Sequence, residues 1–286
     1  MSDSLITLTS VSELRSHLAE LRRQGKILAL VPTMGNLHQG HLRLVEEARR
    51  HADVVVASIF VNPMQFGPGE DFESYPRTLE QDQQMLQSAG CHLLFTPSVA
   101  DVYPEGQEDH TRVVVPVVSE GLCGQKRPGH FDGVATVVSK LFNFVQPDVA
   151  CFGQKDYQQL AVIRKLVTDL CFPIRIIGVP TCRTPEGLAL SSRNGYLTPE
   201  QLKKAPALYA VLKATGQKLA AGNTHFAELS HQARARLAEQ GFAPEYVDIR
   251  STDLSPPDIR AREWVILVAA RLGKARLIDN LVVHRD

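Results

Sequence analysis

Residues 32–41 read PTMGNLHQGH, with KILALV at 26–31 before them and LRLVEEARR at 42–50 after them. The first flank is a short apolar run of strand length, and the second has apolar residues at helical spacing, so the stretch marks a strand giving way to a helix. If the helix begins near His38, then His38 and His41 share a face in its first turn. Unpaired backbone amides project there and the helix dipole favours negative charge. Gly35 and Gly40 allow backbone or ligand to approach closely. The combination suits a nucleotide triphosphate, because amides and imidazoles can offset charge at phosphorus and on departing pyrophosphate. The plainer alternative makes Gly35 a turn and the histidines capping or surface residues. Neither the GxxxxGK[ST] loop nor the GxGxxG fingerprint is present. A zinc site built on HxxH lacks a compelling third ligand.

Outward from this junction, VSELRSHLAELRR (11–23) has helical spacing with Ser12 as its cap, and ADVVVASIFV (52–61) is a continuous apolar run of the kind that fills a covered parallel sheet. A helix is expected over 76–89, a short strand in HLLFTPS (92–98), a loop in PEGQEDH (104–110) and an edge strand in RVVVPVV (112–118), where Pro116 lacks an amide donor. GVATVVSKLFNFVQ reads as a helix, PDVACFG as a strand, KDYQQLAVIRKLVTDL as a helix and IRIIGVP as a strand. This alternation predicts an α/β, mostly parallel sheet with sites beyond the carboxyl ends of its strands. After residue 180 the pattern changes. TPEQLKKAPALYAVLKATGQKLAAG and HFAELSHQARARLAEQG read as two helices, and YVDIR, WVILVAARLG and ARLIDNLVV as closely spaced strands. The expected division is therefore 1–180 and a smaller α+β domain at 181–286.

Composition narrows the partners. Of 286 residues, 44% are hydrophobic and 22% charged, with 31 basic against 31 acidic. Such balance gives no reason to expect nucleic acid or a membrane surface, although a cleft can still gather an anion. No apolar run has the length of a membrane span, and the N-terminus lacks the pattern of a secretory signal. Cys91, Cys123, Cys151, Cys171 and Cys182 show no CxxC or zinc spacing, and an odd, unpatterned set reads as free thiols of a reducing cytoplasm.

Further motifs fall at the other strand ends: SIFVNPMQF (58–66), YPRTLEQD (75–82), RPGHFDGV (127–134), CFGQKDYQQL (151–160) and LSSRNGYL (190–197). Taken alone, NPMQF is a structured turn, Lys155–Asp156 a solvated helix start and the Ser–Arg segment a surface turn. GNLHQGH resembles the histidine–glycine signature of the nucleotidyltransferase superfamily that includes class I aminoacyl-tRNA synthetases. The full set, in this order, resembles the pantothenate synthetase (pantoate–β-alanine ligase) family over essentially the whole chain. Asn36 departs from the small alanine common at that position.

That resemblance implies a Rossmann-like domain followed by the smaller one, and a two-step reaction. Pantoate carboxylate attacks the α-phosphorus of ATP to give pantoyl adenylate and pyrophosphate; the amine of β-alanine then displaces AMP. It implies ATP contacts from Met34, Gly35, Asn36, Leu37, His38, Gln39, Gly40 and His41, from Gly153, Gln154, Lys155 and Asp156, and from Leu190, Ser191, Ser192 and Arg193. His41 carries the family's proton-donor assignment, with His38, Lys155 and Arg193 beside it as catalytic groups, though a charge-stabilising role asks less of an imidazole than literal proton transfer. Gln65 is implied in binding (R)-pantoate and β-alanine, and Gln159 in binding pantoate, with Gln158 as its adjacent rival. Mg²⁺ follows chiefly from the triphosphate, with Asp82 a weak contributor. Arg127 is a weaker candidate for closing the pocket, Tyr75 and Arg77 for a mobile wall, and Trp264 belongs to a core or domain interface. A homodimer is implied; nucleic acid and membrane are not. Competing readings are a nucleotidyltransferase that stops at the adenylate and a regulator that binds nucleotide without catalysis. The small tail offers no anticodon module for tRNA aminoacylation.

Overall fold

The structure, a computed structural model, describes residues 4–285. In chain order the elements are β1 (Ile6–Leu8), α1 (Val11–Arg23), β2 (Leu28–Thr33), α2 (Gln39–Arg49), β3 (Val54–Ile59), α3 (Leu79–Ser88), β4 (Leu93–Phe95), α4 (Val99–Val102), α5 (Leu122–Lys126) and α6 (His130–Val145). There follow β5 (Val149–Gly153), α7 (Tyr157–Asp169), β6 (Arg175–Val179), α8 (Pro199–Lys204), α9 (Ala207–Ala220), α10 (Phe226–Glu239), β7 (Ala243–Ser251), β8 (Glu263–Leu272) and β9 (Ala275–His284). These elements form two compact units.

The first unit runs through Gln154 and resumes over Val162–Pro180. Its six strands lie in the order β1-β4-β3-β2-β5-β6, and all pair in parallel. Because β2 has β3 on one side and β5 on the other, the strand order reverses beside it, which opens a crevice at the carboxyl ends of these strands. The sheet is Rossmann-like, as expected. Its centre is apolar because both faces are covered: Ala29, Val31, Val55 and Ala57 pack with Leu44, Val45 and Ala48 of α2.

The second unit comprises Lys155–Ala161 and Thr181–Asp286. It holds an antiparallel sheet in the order β7-β8-β9, with a register shift between Pro244 and Tyr246. Trp264 and Ile266 of β8 share a core with Leu208, Leu212 and Leu219 of α9 and Leu229 and Leu237 of α10. Trp264 is fully buried there and donates its indole N–H to the Asp258 carbonyl at 3.0 Å. The single boundary expected after residue 180 is therefore incomplete. Lys155–Ala161 joins the second unit, where Asn280 donates to the Lys155 carbonyl at 2.9 Å and the Tyr157 hydroxyl to that of Thr252 at 2.8 Å.

Four local expectations change. The cap of α1 is Ser10, not Ser12: Ser10 Oγ accepts from Glu13 N, and the Glu13 carboxylate accepts from Ser10 N, each at 3.2 Å. Residues 112–118 form no strand. Pro116 offers no N–H, Val117 turns left-handed at φ 71°, and Val118 N closes onto the Pro116 carbonyl at 2.9 Å. The helix expected over 198–222 breaks at Ala205–Pro206 into α8 and α9. Ile6–Leu8, not expected as a strand, pairs with β4 at the sheet edge.

Replacing Ser10 with Ala removes one half of the capping box. It is expected to cost about 1 kcal/mol, read by hydrogen exchange as faster opening of the first turn of α1 with the rest of the sheet unchanged.

Candidate active site

The turn between β2 and α2 is built by hydrogen bonds to its own backbone. Thr33 Oγ1 donates to the Ser58 carbonyl at 2.7 Å and accepts from Gly35 N at 3.2 Å. Gly35 (φ 79°) and Asn36 (φ 49°) are both left-handed, which suits glycine and is tolerated by asparagine. A Cβ at Gly35 would lie 3.1 Å from Asp82 Oδ2 and from Ile59 Cγ2, so the position is closed to larger residues on both counts.

Asp82 lies beneath that turn at 1% exposure. Its Oδ2 accepts from Asn36 N at 2.9 Å and from the Thr78 hydroxyl at 3.2 Å, and its Oδ1 accepts from Leu37 N at 2.8 Å. These bonds account for a buried carboxylate through backbone and hydroxyl donors. Among the described residues no group of three or more His, Cys, Asp or Glu could hold a metal ion.

His38 is the N-cap of α2, and the two histidines complete a reciprocal box. His38 Nδ1 accepts from Gly40 N at 3.1 Å, while His41 Nδ1 accepts from His38 N at 3.2 Å. Their rings lie 4.1 Å apart, centroid to centroid, at a tilt of 33°. The paired histidines of the sequence thus meet at the positive end of an eleven-residue helix.

Gln65 ends the short turn Pro63–Gln65 after β3 and is buried. Its Oε1 accepts from Asn62 Nδ2 at 3.2 Å, leaving its Nε2 to donate to Met34 Sδ at 3.0 Å. A thioether is a weak acceptor, so a better one would displace it. Asn62, 1% exposed, was not singled out in the sequence, although it lies in the same NPMQF motif. It also donates to the Gly133 carbonyl at 3.1 Å and accepts from the Tyr103 hydroxyl at 2.8 Å. Gly133 is what lets α6 approach this closely: a Cβ there would fall 2.3 Å from the Met64 carbonyl oxygen.

Arg127 is engaged within the same unit. Its guanidinium grips Glu70 through Nε at 2.7 Å and Nη2 at 2.6 Å. It also bonds His130 Nε2 at 3.0 Å, and His130 Nδ1 faces the Gln65 carbonyl at 2.9 Å. A carbonyl only accepts, so His130 carries its proton on Nδ1. Burial works to raise the Glu70 carboxyl, but the Arg127 hydrogen bonds and charge outweigh it and hold that carboxyl below its usual range. Tyr75 is buried edge-on to Phe66, and Arg77 knits the loop by donating to the Tyr75 carbonyl at 3.1 Å.

In the second unit, Lys155, Ser191 and Asn194 line one small cavity together with Asp279. Ser191 caps the tight turn Ser192–Tyr196, its Oγ accepting from Arg193 N at 3.3 Å. Asn194 Nδ2 donates to the Ala189 carbonyl at 3.0 Å. Arg183, 2.5 and 2.8 Å from the Asp279 oxygens, stacks over Tyr209 at 3.5 Å. The adjacent Asn280 holds the Lys155 carbonyl. Sequence alone offered no signal for Arg183 and Asp279, which lie 96 residues apart. Asp156 remains half-exposed, 3.8 Å from Lys155 Nζ. On α7 the glutamines divide: Gln158 is buried and Gln159 is half-buried, so Gln159 is the more accessible of the two. Gly153 ends β5 in the first unit, and the adjoining Gln154 donates to the Gly178 carbonyl at 3.4 Å.

The family model for pantoate-beta-alanine ligase matches residues 6–282. The pantothenate synthetase of Chromohalobacter salexigens is 61% identical over 280 residues, covering 98% of this chain and 99% of that one. A Pseudomonas aeruginosa pantothenate synthetase is 57% identical over 281 residues, covering 98% and 99%. The crystal structure of pantothenate synthetase from Thermus thermophilus superposes with a TM-score of 0.90 at 49% identity, covering 96% of this chain and 98% of that one. A pantoate-beta-alanine ligase from Francisella tularensis, solved with beta-gamma ATP and beta-alanine, gives a TM-score of 0.82 at 35% identity, with 98% of each chain covered.

The Arg183–Asp279 pair supplies a stability test. Asp279→Ala strands a largely buried guanidinium and is expected to cost about 3 kcal/mol in denaturant unfolding, whereas replacing both partners with apolar residues costs much less. Equal losses in the two variants would contradict this role.

Proposed function

Since the chain belongs to the pantoate–β-alanine ligase family, we propose that it condenses (R)-pantoate with β-alanine in an ATP-dependent reaction that yields pantothenate, AMP and diphosphate through pantoyl adenylate. The observation that carries the reading is the His38–His41 pair, with rings 4.1 Å apart at the N-terminus of α2, beside the point where the strand order reverses. A carboxylate is a poor acyl donor. Adenylation supplies a leaving group, and the protein's task is to stabilise charge at phosphorus, keep water away and hold the second nucleophile close.

In this proposal Met34–His41, Gly153–Asp156 and Leu190–Arg193 bind ATP, with His38, His41, Lys155 and Arg193 acting on the phosphates. Arg193 brings a fixed fork of donors and Lys155 a mobile point charge. Gln65 Nε2, which donates to a thioether, is the donor assigned to pantoate and afterwards to β-alanine; Gln159 is the second pantoate contact. The described donor set does not fit a protein-only magnesium cage, so Mg²⁺ is assigned to triphosphate oxygens and water.

The finer context belongs to the same proposal. All five cysteines are free thiols, and burial pushes Cys91 and Cys151 up to about 12, which suits a cytoplasmic enzyme without thiol chemistry. Among the described residues no helix is long and apolar enough to cross a membrane. A homodimer is proposed, supported by Val114 and Val117, which are 61% and 72% exposed in the irregular 112–118 segment.

Product analysis with ATP, Mg²⁺ and (R)-pantoate is expected to give bound pantoyl adenylate, and addition of β-alanine to give pantothenate with AMP. ADP in place of AMP would reject the chemistry. His41→Ala and Arg193→Ala are each expected to slow adenylation about 100-fold or more while sparing capture of supplied adenylate. Gln65→Ala is expected to weaken pantoate binding about tenfold, the scale of one lost hydrogen bond. Val114→Lys with Val117→Lys is expected to shift sedimentation from dimer to monomer; an unchanged species would refute that interface.

A further inference from the structure

We propose that Asp82 is a positioning residue that holds the Gly35–Leu37 turn so that His38 and His41 act as neutral Nε2–H hydrogen-bond donors, and that neither transfers a proton during adenylation. The inference rests on the reading of this turn as the phosphate site, and it departs from the proton-donor assignment that family resemblance gives His41.

The tautomers follow from the partners. A backbone N–H can only donate. His38 Nδ1 faces Gly40 N and His41 Nδ1 faces His38 N, so both Nδ1 atoms present lone pairs. A neutral imidazole with a lone pair on Nδ1 carries its proton on Nε2. Protonating either ring fully would place an N–H against an N–H and abolish that half of the capping box. A neutral imidazole is in turn far too weak an acid to give up Nε2–H to a pyrophosphate oxygen, which is itself a poor base. Hydrogen-bond donation stabilises the departing charge without moving a proton, and pyrophosphate leaves as the anion.

Asp82 enters because the box depends on where the preceding turn delivers His38. Gly35 and Asn36 are left-handed in succession, a conformation open to glycine and asparagine but not dictated by either residue alone. The next two amides, Asn36 N and Leu37 N, are fixed by the two oxygens of one carboxylate at 2.9 and 2.8 Å. Thr78 supplies a third donor, and the side chain is 1% exposed. A carboxylate can serve both amides at once. The amide of asparagine has one oxygen and would turn its NH₂ toward the other N–H.

The test is ¹⁵N NMR of histidine-labelled full-length protein at neutral pH, free and with a non-hydrolysable ATP analogue, alongside adenylation kinetics. The expected spectra show His38 and His41 with bare Nδ1 and protonated Nε2 in both states. A doubly protonated His41 in the nucleotide complex, or a proton on Nδ1, would overturn the proposal even if pantoyl adenylate forms normally. If pantoyl adenylate does not form at all, the family reading fails and the tautomers stand as a separate result. Asp82→Asn is expected to mix the tautomers and lower the adenylation kcat about 100-fold while leaving pantoate KM within about twofold. Thr78→Val provides the milder variant, since Thr78 makes no side-chain bond to the amides of α3. It is expected to lower kcat about threefold, again with pantoate KM unchanged. Wild-type tautomers and kcat in a folded Thr78→Val protein would remove Asp82 from the positioning role.

Discussion

Two backbone amides on one buried carboxylate govern the turn between β2 and α2. Asp82 is brought from α3, and its hydrogen bonds to Asn36 and Leu37 hold a turn that passes through two left-handed residues. From that turn come the direction of α2, the capping role of His38 and the contact between the two imidazoles. The positive N-terminal end of the helix then lies where the sheet's strand order reverses.

The turn after β3 has a parallel construction with neutral groups. Asn62 is almost fully buried and uses all its bonding capacity on Gln65, Met64, Gly133 and Tyr103. What remains is a glutamine whose acceptor is fixed and whose donor faces only sulfur. In the second unit the same economy recurs with charge: Arg183 and Asp279 neutralise one another, and Asn280 beside them holds the Lys155 backbone. Arg127, among the expected residues, is already engaged, since Glu70 occupies its guanidinium.

Much of the fold was legible because burial dictates periodicity. The runs LALV, VVVA and VACF had to be strands covered on both faces, and the helices between them had to cross over in one hand. The failures were local. RVVVPVV has the composition of a strand, yet Pro116 and the left-handed Val117 leave it without a ladder. Ser12 and Ser10 are equivalent caps by residue type, and Glu13 chooses Ser10 because it stands three positions further on.

By itself the sequence determined the alternation of strand and helix, the glycine–histidine junction, the other polar motifs and membership of a ligase family. These depend on residue type and short spacing, which a linear pattern records. Tertiary structure decided what the polar groups do to one another: that Asp82 binds amides, that the Nδ1 lone pair of His38 takes the Gly40 amide and that of His41 the His38 amide, and that Asn280 takes Lys155 into the second unit. Hydrogen bonds are directional and short, and their partners here lie up to 125 residues apart, so only the folded chain can choose them.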